Sequence, residues 1–192
     1  RLPQPPCQQF HIFPPCGGTA VRYVIGSSND GLFRGSSGHN GLGGILNTHV
    51  IVAYMISQFG TEDQKKRYLP QMAWAERRGA LTITEPNAGS DVQAIETTAV
   101  RDGDEYVING NKLFVSNGRR GRIFALLAKT DRAAEPRHRG ISCFLVQPDF
   151  PGFQIIREID KLGYKGIEAC ELILEDLRVP AANLLGGGEG QG

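Results

Sequence analysis

The stretch at residues 99–118, AVRDGDEYVINGNKLFVSNG, decides the fold. Apolar and polar residues alternate there with a period of two, and β-branched and aromatic residues are frequent, as in strands that bury one face. Asp102-Gly103 and Asn109-Gly110 each predict a tight turn, because such dipeptides are strong short-range signals for a hairpin. The strands predicted around these turns are 97–101, 105–109 and 112–116.

Five more short strands are predicted on either side of this stretch. They are 80–84, 123–128, 141–147, 153–156 and 169–174. Turn residues separate them, and no helical pattern lies between them. Evenly punctuated short strands are typical of a sandwich or barrel and argue against a doubly wound sheet.

Two helices are predicted before the strands. Apolar residues recur at steps of three and four over 42–59, which indicates one amphipathic helix, and Gly60 then supplies a stop. Thr61 and Gln64 match a capping box, so a second helix starts at Thr61, and Pro70 either kinks it or ends it early. The predicted fold class is α+β: two helices followed by an antiparallel β-barrel or sandwich.

The composition is that of a folded, nearly neutral protein. The 192 residues are 40% hydrophobic, and 21 Lys and Arg against 20 Asp and Glu give a net charge of +1. This balance argues against nucleic acid as the main partner, and no apolar run reaches the roughly 20 residues of a membrane span. Four cysteines without a Cys-x-x-Cys pair and scattered histidines favour neither a disulfide framework nor a metal site. Residues 1–40 are rich in Gly and Pro and stay unassigned.

The segment TITEPNAGSD, residues 82–91, is a candidate binding turn. A strand runs directly into it, and its amides and hydroxyls suit an anionic or acceptor-rich ligand. Gly89 lets a ligand approach the backbone closely. The alternative is a surface turn that caps itself, because Ser90 or Asp91 would equally cap a short helical turn at 92–95.

A second candidate lies on the strand 112–116, where Phe114 and Ser116 are two residues apart on one face. An aromatic wall beside a hydroxyl suits a conjugated ring cofactor. The alternative is that Phe114 belongs to the core.

These segments together resemble a known family. TITEPNAGSD, the hairpin at 99–118, GFQI at 152–155 and ELILEDLRVPAANLLG at 171–186 resemble the middle domain of acyl-CoA dehydrogenases. SQFGTEDQKKRYLP, at 57–70, is similar to the end of that family's N-terminal helical domain. The resemblance implies helical residues 41–78, a middle β domain with the start of a linker at 79–192, and no C-terminal four-helix domain in this chain.

The resemblance also implies an activity. Members of the family bind FAD, oxidise the α,β carbon bond of an acyl-CoA thioester to the enoyl-CoA, and pass electrons to an electron-transfer flavoprotein or similar acceptor. It further implies a homo-oligomer at full length, located in the cytoplasm or, for a eukaryotic source, the mitochondrial matrix. The alternatives are an acyl-CoA oxidase or flavin monooxygenase of the same superfamily, and a non-catalytic β-module.

Site residues follow from the resemblance position by position. Ile83 and Thr84 would bond the pyrimidine edge of the flavin, while Gly89 and Ser90 would serve its pyrophosphate side, with Ser90 also near the acyl-CoA. Phe114 stands where many members have Trp beside the flavin ring, and Ser116 stands where many have Thr. The basic loop residues that would attract the phosphates of CoA are Arg137, His138 and Arg139. The alternative for this loop is a solvated segment without a partner.

The catalytic base of the family is a glutamate of the C-terminal domain, and no residue of this chain is assigned that role. In the family, the position of Glu85 belongs to the binding turn, so Glu85 is not assigned the role of the base. Because proton abstraction needs a base beside the substrate, the chain by itself is expected to be inactive.

Overall fold

The structure, a computed structural model, describes residues 9–10, 23–24 and 40–191. Two short strands, β1 (Gln9–Phe10) and β2 (Tyr23–Val24), pair antiparallel. The rest of the unassigned segment at residues 1–39 lies outside the described residues.

The two predicted helices are confirmed as α1 (Asn40–Phe59) and α2 (Glu62–Ala73). The capping box is present: the Gln64 N–H donates to the Thr61 hydroxyl at 3.2 Å, and the Thr61 N–H donates to the Gln64 side chain at 3.1 Å. Pro70 lies inside α2, which ends three residues later. In the part of the chain that the structure describes, no helix has the length and apolar character needed to cross a bilayer.

Seven strands form a curled mixed sheet, a half-barrel, in the order β3-β6-β4-β5-β9-β8, with β7 also paired to β6. The strands are β3 (Arg78–Thr82), β4 (Thr98–Asp102), β5 (Glu105–Ser116), β6 (Gly121–Lys129), β7 (Ile141–Val146), β8 (Phe153–Glu158) and β9 (Ala169–Pro180). Most neighbours are antiparallel, as predicted, but β6 pairs in parallel with both β3 and β4. Alternation within a strand carries no information about the direction of its neighbour, so the sequence did not predict the parallel pairs.

The turn predicted at Asn109-Gly110 is wrong. β5 runs unbroken from Glu105 to Ser116, because β9 pairs along its whole length, and the register shifts between Ile108 and Gly110. A Cβ atom at position 110 would clash with the Thr97 side chain. The glycine therefore serves a close approach beside a bulge, not a chain reversal.

The core has two main parts. The larger lies within the sheet, where Phe124, Phe144 and Tyr106 are fully buried, and the rings of Tyr106 and Phe144 meet edge to face at 4.9 Å. The second joins the helices to the sheet through residues such as Ile56 of α1 and Leu145 of β7. The helical pair thus covers the face of the sheet formed by β3, β6 and β7.

His49 holds the junction between the helices and the sheet. It is buried, its Nδ1 accepts a hydrogen bond from the Gly79 N–H at 3.0 Å, and its Nε2 lies 3.1 Å from the carbonyl oxygen of Met72. An Nδ1 that accepts must be unprotonated, so Nε2 carries the proton of a neutral ring. Burial lowers the pKa of His49 below 6.5, the Met72 hydrogen bond raises it, and the charge of Arg78 lowers it further.

We expect the free energy of unfolding to fall as the pH drops below about 6.5. Because the pKa of His49 is lower in the folded state, unfolded His49 binds a proton at pH values where folded His49 stays neutral. The stabilisation from neutral His49 is therefore complete above the unfolded-state pKa and is lost as the pH falls toward the folded-state pKa. One such group contributes a slope of at most about 1.4 kcal/mol per pH unit. Urea unfolding at a series of pH values should show a flatter dependence for His49→Gln, whereas the exposed control His138→Gln should match the wild type. An unchanged slope in His49→Gln would contradict this assignment.

The segment after β9 fastens the helices to the sheet. The Gln64 side-chain amide donates to the carbonyl oxygens of Ala182 and Leu184 at 2.9 and 2.7 Å. Asn183 donates to the Leu145 carbonyl oxygen and to the Tyr68 hydroxyl. These buried amide hydrogen bonds fix the orientation of α2 relative to β7.

Candidate functional site

The two candidate segments of the sequence meet in the structure. The carbonyl oxygen of Ile83 accepts a hydrogen bond from Lys112 Nζ at 3.1 Å, and that of Thr84 accepts one from the Leu113 N–H at 2.8 Å. The backbone after β3 therefore lies along β5 immediately before Phe114. Residues 30 positions apart in sequence, Thr84 and Phe114, are thus brought to the same end of the sheet.

A buried ion pair underlies this meeting point. Lys112 Nζ lies 2.7 Å from Glu85 Oε1, and the two side chains are 0% and 4% exposed. The Glu85 carboxylate also accepts hydrogen bonds from the backbone N–H groups of Glu96 and Thr97. Sequence reasoning missed this pair, although alternation places Lys112 on the same face of β5 as the buried Tyr106 and Ile108. A lysine on an inward face is the signal that would have revealed it.

Glu85 is held as an anion. Burial raises the pKa of its carboxyl, but hydrogen bonds from Lys112, Thr97 and Glu96 and the charge of Lys112 outweigh burial and lower the pKa overall. Burial lowers the pKa of Lys112, and the hydrogen bond and charge of Glu85 oppose that shift. A carboxylate with a lowered pKa and three donors is poorly suited to abstract protons.

The turn that follows has a self-capped part and an open part. Glu85 and Ala88 exchange backbone hydrogen bonds of 2.9 and 3.2 Å, and Asp91 caps a short 3₁₀ helix, Val92–Ala94, as one alternative predicted. Gly89 and Ser90 lie between these fixed points and are exposed. A Cβ atom at position 89 would meet nothing within 4 Å. The backbone at Gly89 is therefore open to a ligand.

Phe114 is an exposed, strained aromatic residue. Two residues of β5 stand opposite one of β9 between Lys112 and Val115, and in this bulge Phe114 adopts a φ of 56° and is 60% exposed. The alternative that Phe114 belongs to the core is wrong, because the bulge turns Val115 inward instead. A bulky residue at positive φ is unfavourable, and such strain is concentrated at functional sites. Ser116 follows, half-buried, at the end of β5.

Asn117 anchors this end of β5 and was also missed from the sequence. It is buried, adopts a φ of 62°, and its side-chain amide donates to the carbonyl oxygens of Ile45 and Gly79 at 3.1 and 3.0 Å. It thereby ties the strand that carries Phe114 to α1 and to β3. An asparagine before a glycine predicts an ordinary turn, so the local sequence does not indicate this long-range role.

The basic loop lies between β6 and β7. Arg137, His138 and Arg139 fall in a 3₁₀ helix, Arg137–Gly140, and are exposed. Ala88 of the candidate turn shares a small buried cluster with Ile141, the first residue of β7. The loop and the turn therefore lie at the same end of the sheet. Within residues 40–191 none of the three basic side chains forms an ion pair, which suits both the phosphate-binding and the solvated-loop interpretations.

A cleft of about 560 Å³ occupies the opposite end of β6 and β7, and Arg77, Arg122 and Gln147 are among its lining residues. It contains none of the predicted site residues. Among the described residues no group of three or more His, Cys, Asp or Glu side chains is arranged to hold a metal ion.

Comparisons with known proteins agree with this arrangement of helices and sheet. The family described as acyl-CoA dehydrogenase, middle domain, matches residues 80–177, and the acyl-CoA dehydrogenase N-terminal domain matches residues 32–76. A short-chain specific acyl-CoA dehydrogenase of Clostridium acetobutylicum is 40% identical over 177 residues, which cover 92% of this chain and 45% of that protein.

Solved structures agree as well. The crystal structure of an acyl-CoA dehydrogenase from Geobacillus kaustophilus superimposes with a TM-score of 0.76 at 43% identity, covering 85% of this chain and 42% of that one. A glutaryl-CoA dehydrogenase from Mycobacterium smegmatis in complex with FADH2 gives a TM-score of 0.64 at 35% identity, covering 72% of this chain and 34% of that one. The chain spans less than half the length of each of these proteins. It belongs to the acyl-CoA dehydrogenase family, a family of flavoprotein oxidoreductases of acyl-CoA metabolism.

Proposed function

We propose that this chain forms part of an FAD-dependent enzyme that oxidises the α,β carbon bond of an acyl-CoA thioester to the enoyl-CoA. The observation that carries the proposal is the exposed, strained Phe114, whose neighbour Leu113 donates to the Thr84 carbonyl oxygen in the segment that is open at Gly89. The names of the similar proteins, which include acyl-CoA dehydrogenases and one complex with FADH2, support the same conclusion.

The residues at this end of the sheet fit a flavin dinucleotide. Phe114 offers an aromatic face to a conjugated ring, and Ser116 lies two residues further along β5. Gly89 leaves its backbone accessible to a pyrophosphate. When bound, FAD would supply the two-electron acceptor that the oxidation requires.

The chain's own groups would bind and orient the reactants. The carbonyl oxygens of Ile83 and Thr84 already accept hydrogen bonds from Lys112 and Leu113, so the N–H groups of this segment are the ones we assign to the flavin's pyrimidine edge. The Thr84 and Ser116 hydroxyls are further donors nearby. Ser90 would face both the pyrophosphate and the acyl-CoA.

The basic loop would attract the nucleotide end of CoA. Guanidinium groups form charge-assisted hydrogen bonds to phosphates, and Arg137, His138 and Arg139 are exposed and free of ion pairs within residues 40–191. The shared buried cluster of Ala88 and Ile141 supports placing this loop beside Ser90.

The domain assignment and the partners are part of the proposal. Residues 41–78 would be the end of the helical domain, and residues 79–192 the middle domain with the start of a linker. The resemblance to the family would place the base in a C-terminal domain, and Glu85 is engaged in the ion pair with Lys112. An electron-transfer flavoprotein or similar acceptor, a homo-oligomeric state and a cytoplasmic or mitochondrial matrix location complete the proposal.

The test is the flavin content and flavin affinity of the complete protein that contains this sequence. We expect bound FAD, and we expect Phe114→Ala to weaken FAD binding about tenfold, because an aromatic contact contributes roughly 0.5–1.5 kcal/mol beyond its buried area. Trp74→Ala is the matched control, since Trp74 is 71% exposed, follows the last residue of α2 and is not among the predicted site residues.

Three results would contradict the proposal. Purification without flavin, and no binding of added FAD, would favour a non-catalytic β-module. Bound FAD whose reduced form reacts rapidly with oxygen would favour an oxidase or monooxygenase. Equal losses of affinity in Phe114→Ala and Trp74→Ala would remove Phe114 from the site.

A further inference from the structure

The peptide group between Ile83 and Thr84 has a cation fixed on its carbonyl oxygen. Lys112 Nζ donates to the Ile83 oxygen at 3.1 Å. The N–H of the same peptide group belongs to Thr84, and no partner for it is found within residues 40–191. One end of this amide therefore faces a buried ammonium group, and its other end is available to a ligand.

A hydrogen bond to the oxygen of an amide strengthens the amide's N–H as a donor, because hydrogen bonds in a chain polarise one another. The effect is larger when the donor is charged and the surroundings exclude water. Both conditions hold here, since the Lys112 side chain is fully buried. The Thr84 N–H is thus a stronger donor than an ordinary backbone N–H.

The Lys112 ammonium group is held in this position by the Glu85 carboxylate. Glu85 Oε1 holds its Nζ at 2.7 Å, and the carboxylate is itself fixed by the N–H groups of Glu96 and Thr97. The ion pair links the turn after β3, the strand β5 and the segment before β4. Its members are 27 residues apart in sequence, so only the folded state assembles it.

We infer that Lys112 is a positioning residue for the flavin, which acts through the Ile83–Thr84 peptide to aim and strengthen the Thr84 N–H toward the flavin's pyrimidine edge. This inference rests on the proposed function. Reduction places negative charge on a flavin, and a stronger donor at its edge stabilises that charge. Lys112 therefore favours the reduced form of the bound cofactor.

The experiment measures the reduction potential and the affinity of bound FAD in the complete protein that contains this sequence. The main variant is Lys112→Met combined with Glu85→Gln, which removes both buried charges and leaves neither unpaired. We expect about tenfold weaker FAD binding and a tenfold smaller preference for the reduced form, which is about 30 mV for a two-electron couple.

Two further variants separate electrostatics from structure. Glu85→Gln alone keeps the Lys112 donor and removes the neighbouring negative charge, so we expect the potential to rise, whereas a purely structural role predicts shifts of the same sign in both variants. Lys112→Arg retains a cationic donor. It should keep the equilibrium ratio of reduced to oxidised flavin within about threefold of the wild-type ratio. Lys65→Met, the same loss of a lysine from the exposed pair with Glu62, is the matched control and should change nothing.

The outcomes are distinct. A wild-type potential and affinity in the double variant would overturn the inference while leaving the proposed function intact. Shifts of equal sign in Glu85→Gln and the double variant would also overturn it. A wild-type protein that binds no FAD would overturn the proposed function and this inference together.

Discussion

Replacing Lys112 by methionine is expected to lower the free energy of unfolding by about 3–5 kcal/mol. The Lys112 and Glu85 side chains are 0% and 4% exposed, and they form an ion pair of 2.7 Å. Removing the ammonium leaves a carboxylate buried with only backbone N–H donors, and an uncompensated buried charge costs far more than a lost surface pair. Urea unfolding, followed by tryptophan fluorescence or circular dichroism, measures the change.

The double variant Glu85→Gln/Lys112→Met is the decisive comparison. It should recover most of the stability lost in Lys112→Met, because both charges are then absent. Lys65→Met, which breaks the exposed pair with Glu62, should cost no more than about 1 kcal/mol. If the double variant is as unstable as Lys112→Met, lost packing and not the unpaired carboxylate is the cause.

Replacing Phe144 by alanine is expected to cost about 3–5 kcal/mol. Phe144 is fully buried on β7, its ring meets Tyr106 edge to face at 4.9 Å, and it pairs with Leu126 of β6 and with Leu184 beyond β9. Truncation leaves a cavity in the core beside strands whose spacing is fixed by their hydrogen bonds. The surroundings therefore cannot collapse into the cavity. The midpoint of urea unfolding should fall, with an unchanged slope if the unfolded state is unaffected.

Phe114→Ala is the matched control for this prediction. The same two residue types are exchanged, but Phe114 is 60% exposed and has little packing to lose. Without ligand, its effect on stability should stay within about 0.5 kcal/mol, as for most surface substitutions. A large loss in Phe114→Ala would mean that the bulge of β5 is packed differently. A small loss in Phe144→Ala would mean that the core around β7 collapses into the cavity.

Local signals in the sequence predicted local structure well. The capping box of Thr61 and Gln64, the stop at Gly60 and the turn at Asp102-Gly103 all appear in the structure. Each depends on backbone geometry within a few residues. The turn predicted at Asn109-Gly110 fails for a physical reason: β9 offers hydrogen bonds along all of β5, and this long-range pairing outweighs the preference of two residues.

The candidate site likewise has features that local sequence predicted and features that only the folded structure shows. Residue types and order pointed to the turn at 82–91 and to Phe114 and Ser116, and the structure places the turn against β5 beside Phe114. The roles of these residues toward FAD and CoA remain predictions. No local pattern predicted the positive φ of Phe114 or the anchor at Asn117, because both arise from the bulge opposite β9 and from contacts with α1 and β3.

By itself, the sequence determined the two helices, most of the strands and the membership in the acyl-CoA dehydrogenase family, because periodicity, caps and motifs are properties of neighbouring residues. Only the tertiary structure decided the parallel pairing of β6 with β3 and the burial of Lys112 against Glu85. Both depend on which distant surfaces meet. A charged side chain becomes buried only where the fold brings its counter-charge within hydrogen-bonding distance, and periodicity within one strand cannot specify that partner.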